Sequence, residues 1–91
     1  MSKLIETMVP DALACVDAVC RGSLESGRHK PGDWKDQGIE GNLEHALAHF
    51  ENTSGITGLN LDRDPTEDHL TNLCCRVLMA LQLRIEQNTR K

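Results

Sequence analysis

His45 and His49 stand four residues apart in "NLEHALAHF". On a helix that spacing puts both imidazoles on one side, as helical metal sites require. Glu44 precedes the pair, and no H-E-x-x-H metalloprotease motif is formed. Further along, "LDRDPTEDHLTNLCCR" gathers Asp62, Asp64, Glu67, Asp68 and His69, followed by Asn72 and Arg76. His69, Asn72 and Arg76 fall at i, i+3 and i+7, which makes one polar stripe beside an apolar one. Two chemistries are open to such a set. His45, His49, His69 and Asp62 offer mixed nitrogen and oxygen donors to a divalent transition metal. Acids with water instead suit magnesium on a phosphate substrate. The planar fork of Arg76 matches a phosphate or a carboxylate. Structural roles stand beside these. Acids in a first turn suit the helix dipole, and a histidine pair on a solvated face is commonplace.

Three helices are expected to position these residues. The first begins at Pro10, whose missing N–H costs nothing in a first turn, and stops around Gly22. The segment from Ser23 to Ile39 has loop composition, with Trp34 as its anchor. The second helix covers roughly Glu40 to Glu51, with Leu43, Ala46, Leu47 and Phe50 as its core stripe. A glycine-bearing loop follows. Asp64, Pro65 and Glu67 read as N-cap, first position and capping-box partner of a long third helix. Its apolar face runs through Leu70, Leu73, Cys74, Val77, Leu78, Leu81 and Ile85, while Met79 and Leu83 lie nearly opposite. Two apolar faces call for two coverings, hence a homo-oligomer. With antiparallel packing of the second and third helices, both polar stripes share one groove.

The 91 residues make a single all-α domain with two irregular loops. Trp34 and Phe50 are the only aromatics, which excludes aromatic base-stacking platforms. A formal charge of −4 without a basic run argues against direct nucleic-acid binding. No apolar run is long enough for a membrane span, and no secretory leader pattern is present. Cys15, Cys20, Cys74 and Cys75 lack zinc-knuckle spacing and read as reduced, core-filling thiols of a cytoplasmic protein.

The order of motifs resembles the small, mostly phage-encoded amino-terminal domain of dATP/dGTP diphosphohydrolases. "GRHKPGDW" is similar to that family's G-x-K-Y-x-x-x-N-W loop. "NLEHALAHF" is similar to Y-L-D-A-L-x-R-H-L, with Glu44 at the acid and His49 at the histidine. "DRDPTEDHLTN" is similar to D-x-x-x-G-x-x-H-L-x-H, with Asp62 and His69 at the leading positions. Asn42, Ala48 and Asn72 depart from the tyrosine, arginine and second histidine of those blocks. The resemblance spans about residues 9 to 85 and implies metal-assisted hydrolysis of a purine dNTP to dNMP and pyrophosphate. In that reading Glu44, Asp62, Asp68 and His45 hold magnesium or manganese. His49 and His69 handle the water, and Arg76, Asn72 and Trp34 hold the nucleotide. Two other readings remain: a non-enzymatic helical dimer that binds protein or nucleotide, and a transition-metal-binding regulator.

Overall fold

The computed structural model describes residues 3–53, 60–61 and 68–89, and these are mainly helical. Five helices appear among them: α1 (Leu4–Met8), α2 (Pro10–Glu25), α3 (Asp33–Asp36), α4 (Gly38–Glu51) and α5 (His69–Thr89). The two beyond the expected three are short, and local chemistry creates both. Only Val9 separates α1 from α2, where Pro10 cannot continue the i→i−4 ladder and starts a new first turn. Within the 23–39 segment, the Asp33 carboxylate accepts the Lys30 N–H at 2.9 Å, and α3 makes a single turn there. Gly32 and Gly38 flank it with φ of 89° and 70°, values that a side chain disfavours. Trp34 therefore rides on a helical turn rather than on an irregular loop.

Helix α2 continues past Gly22 to Glu25, because one interior glycine costs only about 1 kcal/mol against alanine. Its end is closed at Ser26, whose N–H reaches the Gly22 carbonyl at 3.0 Å. Helix α5 opens on Asp68. The carboxylate of Asp68 accepts the Thr71 N–H at 3.2 Å and the Thr71 hydroxyl at 2.6 Å, an N-cap on the third residue of the helix. The cap expected from Asp64, Pro65 and Glu67 lies outside the described residues. So do Asp62 and most of the connection from α4 to α5, of which Thr53 and Asn60 form an isolated antiparallel bridge.

Helices α4 and α5 pack antiparallel along most of their length. His49 meets His69 at one end, Asn42 meets Arg76 midway, and Lys35 just before α4 approaches Glu86 at 3.6 Å at the other end. The faces they press together are not the aliphatic ones. Asn42 is 0 % exposed and His69 4 %, and the only buried apolar residues among those described are Ala46, Cys75 and Ala80. Leu43, Leu47 and Phe50 of the expected α4 core stripe lie exposed, as do Leu70, Val77, Leu78, Leu81 and Ile85 of α5. Of the α4 stripe only Ala46 turns inward. Met79 and Leu83, on the reverse side of α5, are half-buried.

Small residues explain the choice of face. Ala46 and Ala80 let the backbones approach, and the polar groups between the helices find one another. Among the described residues no buried side-chain nitrogen or oxygen is left without a hydrogen bond. No described helix is long and apolar enough to cross a membrane.

Candidate functional site

Asn42 is the hub of the polar interior. Its amide donates to the carbonyl oxygens of Trp34 and Gly38, both at 2.8 Å. Its oxygen accepts from Arg76 Nη1 at 3.0 Å, and Gln37 Oε1 accepts from the same nitrogen at 3.1 Å. One guanidinium nitrogen is thus tied to α4 and to the residue before it, which fixes the plane of the whole fork. Burial lowers the Arg76 pKa from its ordinary value, with Cys75 and Cys20 opposing. An arginine starts so far above neutrality that it stays cationic.

In the last turn of α4, His49 Nδ1 lies 2.8 Å from His69 Nδ1, with ring centroids 5.1 Å apart and planes tilted by 41°. A bond between two Nδ1 atoms needs one donor and one acceptor, so each ring sets the other's tautomer. The backbone N–H of His69 donates to Asn60 Oδ1 at 3.1 Å, which ties the start of α5 to the α4–α5 connection.

Between α2, the turn at 26–32, α4 and α5 lies a cavity of about 910 Å³. Its size falls in the range of small-ligand sites. Six residues singled out by spacing or resemblance line it: Trp34, His45, His49, Asp68, Asn72 and Arg76. His69 is buried against His49 and is not on the cavity wall. The shared groove expected for the two polar stripes is therefore present. Glu44 is different: it is exposed and does not line the cavity.

Arg28, His29 and Lys30 also line the cavity, and their spacing alone gave them no role. Their signal was there in "GRHKPG", where three basic or titratable side chains sit between glycines that let the backbone turn. Arg28, Lys30 and Arg76 place three cations on the wall of an otherwise acidic chain. The carboxylates on the wall, Asp33 and Asp68, already accept hydrogen bonds from Lys30 and Thr71.

Among the described residues no three His, Cys, Asp or Glu side chains are placed to share a metal. Of the expected ligand set, Asp68 uses both oxygens in the cap, His45 lines the cavity, Glu44 stands away from it, and Asp62 lies outside the described residues.

No family model, curated protein or solved structure matches the chain.

The thiols divide in two. Cys75 is buried and Cys20 half-buried, their sulfurs 3.8 Å apart at the α2–α5 contact, whereas Cys15 and Cys74 are exposed rather than core-filling. Burial, reinforced by Cys20, pushes the Cys75 thiol up to about 12. At neutral pH it is a protonated packing group and a poor nucleophile.

Asp68 supplies a pH-dependent prediction. The Thr71 hydroxyl chiefly holds its carboxyl below the ordinary value of 3.8, against a smaller opposing effect of burial. A depressed folded pKa stabilises above the unfolded value, and that stabilisation is lost as the pH falls through the folded one. Asp68→Ala is expected to cost about 0.5–2 kcal/mol near neutrality, the usual size of a lost N-cap. The deficit should shrink below the ordinary carboxylate range. Urea unfolding of both proteins at neutral pH and near pH 3 checks it, and a pH-independent difference would show that the cap does not use the ionised form.

Proposed function

We propose that the cavity binds a purine deoxynucleoside triphosphate, and that the protein is a small helical member of nucleotide metabolism related to dNTP diphosphohydrolases. The carrying observation is the wall of Arg28, Lys30 and Arg76 around a nucleotide-sized space, with Trp34 on the same wall. An arginine fork held from behind by Asn42 and Gln37 suits a phosphate, because its orientation is settled before the ligand arrives. The indole of Trp34 offers an apolar surface to a base. In this reading a water attacks the α–β phosphoanhydride. His49 accepts its proton, with buried His69 fixing the acceptor's tautomer, and dNMP and pyrophosphate leave. Magnesium or manganese enters as the counterion of the triphosphate. The motif resemblance supports the same assignment.

The use of both Asp68 oxygens in the cap of α5 favours a second reading, in which the nucleotide is bound without turnover. One titration separates the two. Trp34 is the sole tryptophan, so its fluorescence reports the cavity directly. Each of the four dNTPs and four NTPs is added with magnesium or manganese while pyrophosphate is followed. Purine-selective quenching with pyrophosphate release that fails in His69→Ala supports hydrolysis. Quenching without release supports binding alone. No quenching and no calorimetric heat with any nucleotide at millimolar concentration would refute both.

A further inference from the structure

Among the described residues nothing fully covers the outer face of α5. Leu70, Val77, Leu78, Leu81 and Ile85 are each 40–47 % exposed, and Cys74 is exposed among them. The interior cannot replace what this face withholds, since its buried apolar side chains are two alanines and a cysteine among the described residues. The accessible surface is 7022 Å². A folded monomer of 10.1 kDa is expected to show about 5,300 Å². The excess over the whole chain, to which the exposed Leu43, Leu47 and Phe50 of α4 also contribute, is about 1,700 Å², comparable with the share that each subunit of an obligate homodimer buries, about 1,000–2,500 Å².

The spacing of the stripe says what covers it. Leaving aside Leu73, which is half-buried, the exposed members from Leu70 through Cys74, Val77, Leu78 and Leu81 to Ile85 step by four, three, one, three and four residues. That series reads the same from either end. Two copies of α5 laid antiparallel about a twofold axis between Val77 and Leu78 therefore bring every member opposite another member. Leu70 faces Ile85 of the partner subunit, Cys74 faces Leu81 of the partner subunit, and Val77 faces Leu78 of the partner subunit. Self-complementarity of this kind is what an isologous interface demands and what an unrelated partner does not. A core this poor also needs its cover whenever the chain is folded, which a second copy supplies at fixed stoichiometry.

We propose that two copies of this chain pair through antiparallel α5 helices in this register. The apolar core of the assembly then lies between the subunits. Each cavity stays open, because Asn72, Cys75, Arg76 and Met79 line it from the opposite side of α5.

Sedimentation equilibrium of the full chain is expected to give twice the 10.1 kDa chain mass at micromolar concentration. Leu78→Glu should weaken the association at least about 30-fold, as expected for a charge placed at the centre of an interface. The register is tested without disrupting the fold by Leu81→Cys, oxidised with diamide. The introduced thiol should join Cys74 of the partner subunit into a covalent dimer, and adding Cys74→Ala should abolish it. A monomer that still melts cooperatively would overturn the dimer. Cross-linking that persists without Cys74, or a dimer that fails to cross-link with it, would overturn the antiparallel register.

Discussion

Replacing Asn42 by alanine is expected to destabilise the protein by about 2–4 kcal/mol, the largest effect of any single polar substitution proposed for this chain. The side chain is wholly buried and satisfies three groups at once. Truncation leaves the Trp34 carbonyl without its donor and takes one of the two acceptors of Arg76 Nη1 away. A buried polar group stripped of its partner costs about 1–3 kcal/mol, well above the net gain of an ordinary hydrogen bond. The identity of the replacement is informative. Asn42→Asp restores an acceptor for Arg76 but sets a carboxylate 2.8 Å from two carbonyl oxygens that need donors. It should therefore fare no better than alanine, despite the added ion pair. Urea unfolding at one fixed protomer concentration measures the difference, since the stability of an associating chain depends on concentration. A loss below about 1 kcal/mol from Asn42→Ala would mean that the Trp34 turn is held by something other than this amide.

Arg76→Ala is expected to weaken triphosphate binding by about 10- to 150-fold, corresponding to the 1.5–3 kcal/mol typical of a hydrogen bond to a charged group. The two hydrogen bonds from the guanidinium both leave through Nη1, and the side chain lines the cavity. Arg76→Lys should recover little of the loss. A lysine keeps the charge, but it can neither retain the link to Asn42 and Gln37 nor present two parallel donors at the same time. Because the same substitution removes a donor from Asn42, affinity must be measured well below the unfolding transition of the variant. The Trp34 fluorescence titration at low temperature does this. An affinity unchanged in Arg76→Ala would place phosphate recognition on Arg28 and Lys30 instead.

Much of the candidate site was legible before the fold. The four-residue step between His45 and His49 and the Asn72–Arg76 step each define one side of a helix, and those sides do converge on one cavity, while His69 of the same stripe is buried against His49. Periodicity suffices for that, because residues on one stripe of a straight helix share whatever it faces. The roles of Asn42 and of Arg28 to Lys30 were not legible. Asn42 matters through Arg76, 34 positions away, and through the Trp34 carbonyl, and no local pattern encodes either link. The basic triplet depends on the path of a turn, set by Gly27 and Gly32 at φ of 75° and 89°. Asp68 illustrates the reverse case. Its place among acids suggested a ligand, yet its two oxygens are occupied by the cap of α5.

By itself the sequence determined the helical class, the start of α2 at Pro10, the bodies of α4 and α5, and the grouping of polar and apolar residues into separate stripes. These follow from local sterics and from the 3.6-residue period, which act within a few residues of chain. Only the tertiary structure decided which stripe turns inward. An aliphatic stripe gains as much free energy from burial against another copy as from burial against its own chain, so periodicity cannot name the cover. Here Ala46 and Ala80 allow α4 and α5 to approach, and Asn42, His49, His69 and Arg76 satisfy one another between them. The leucines were thereby left on the outside.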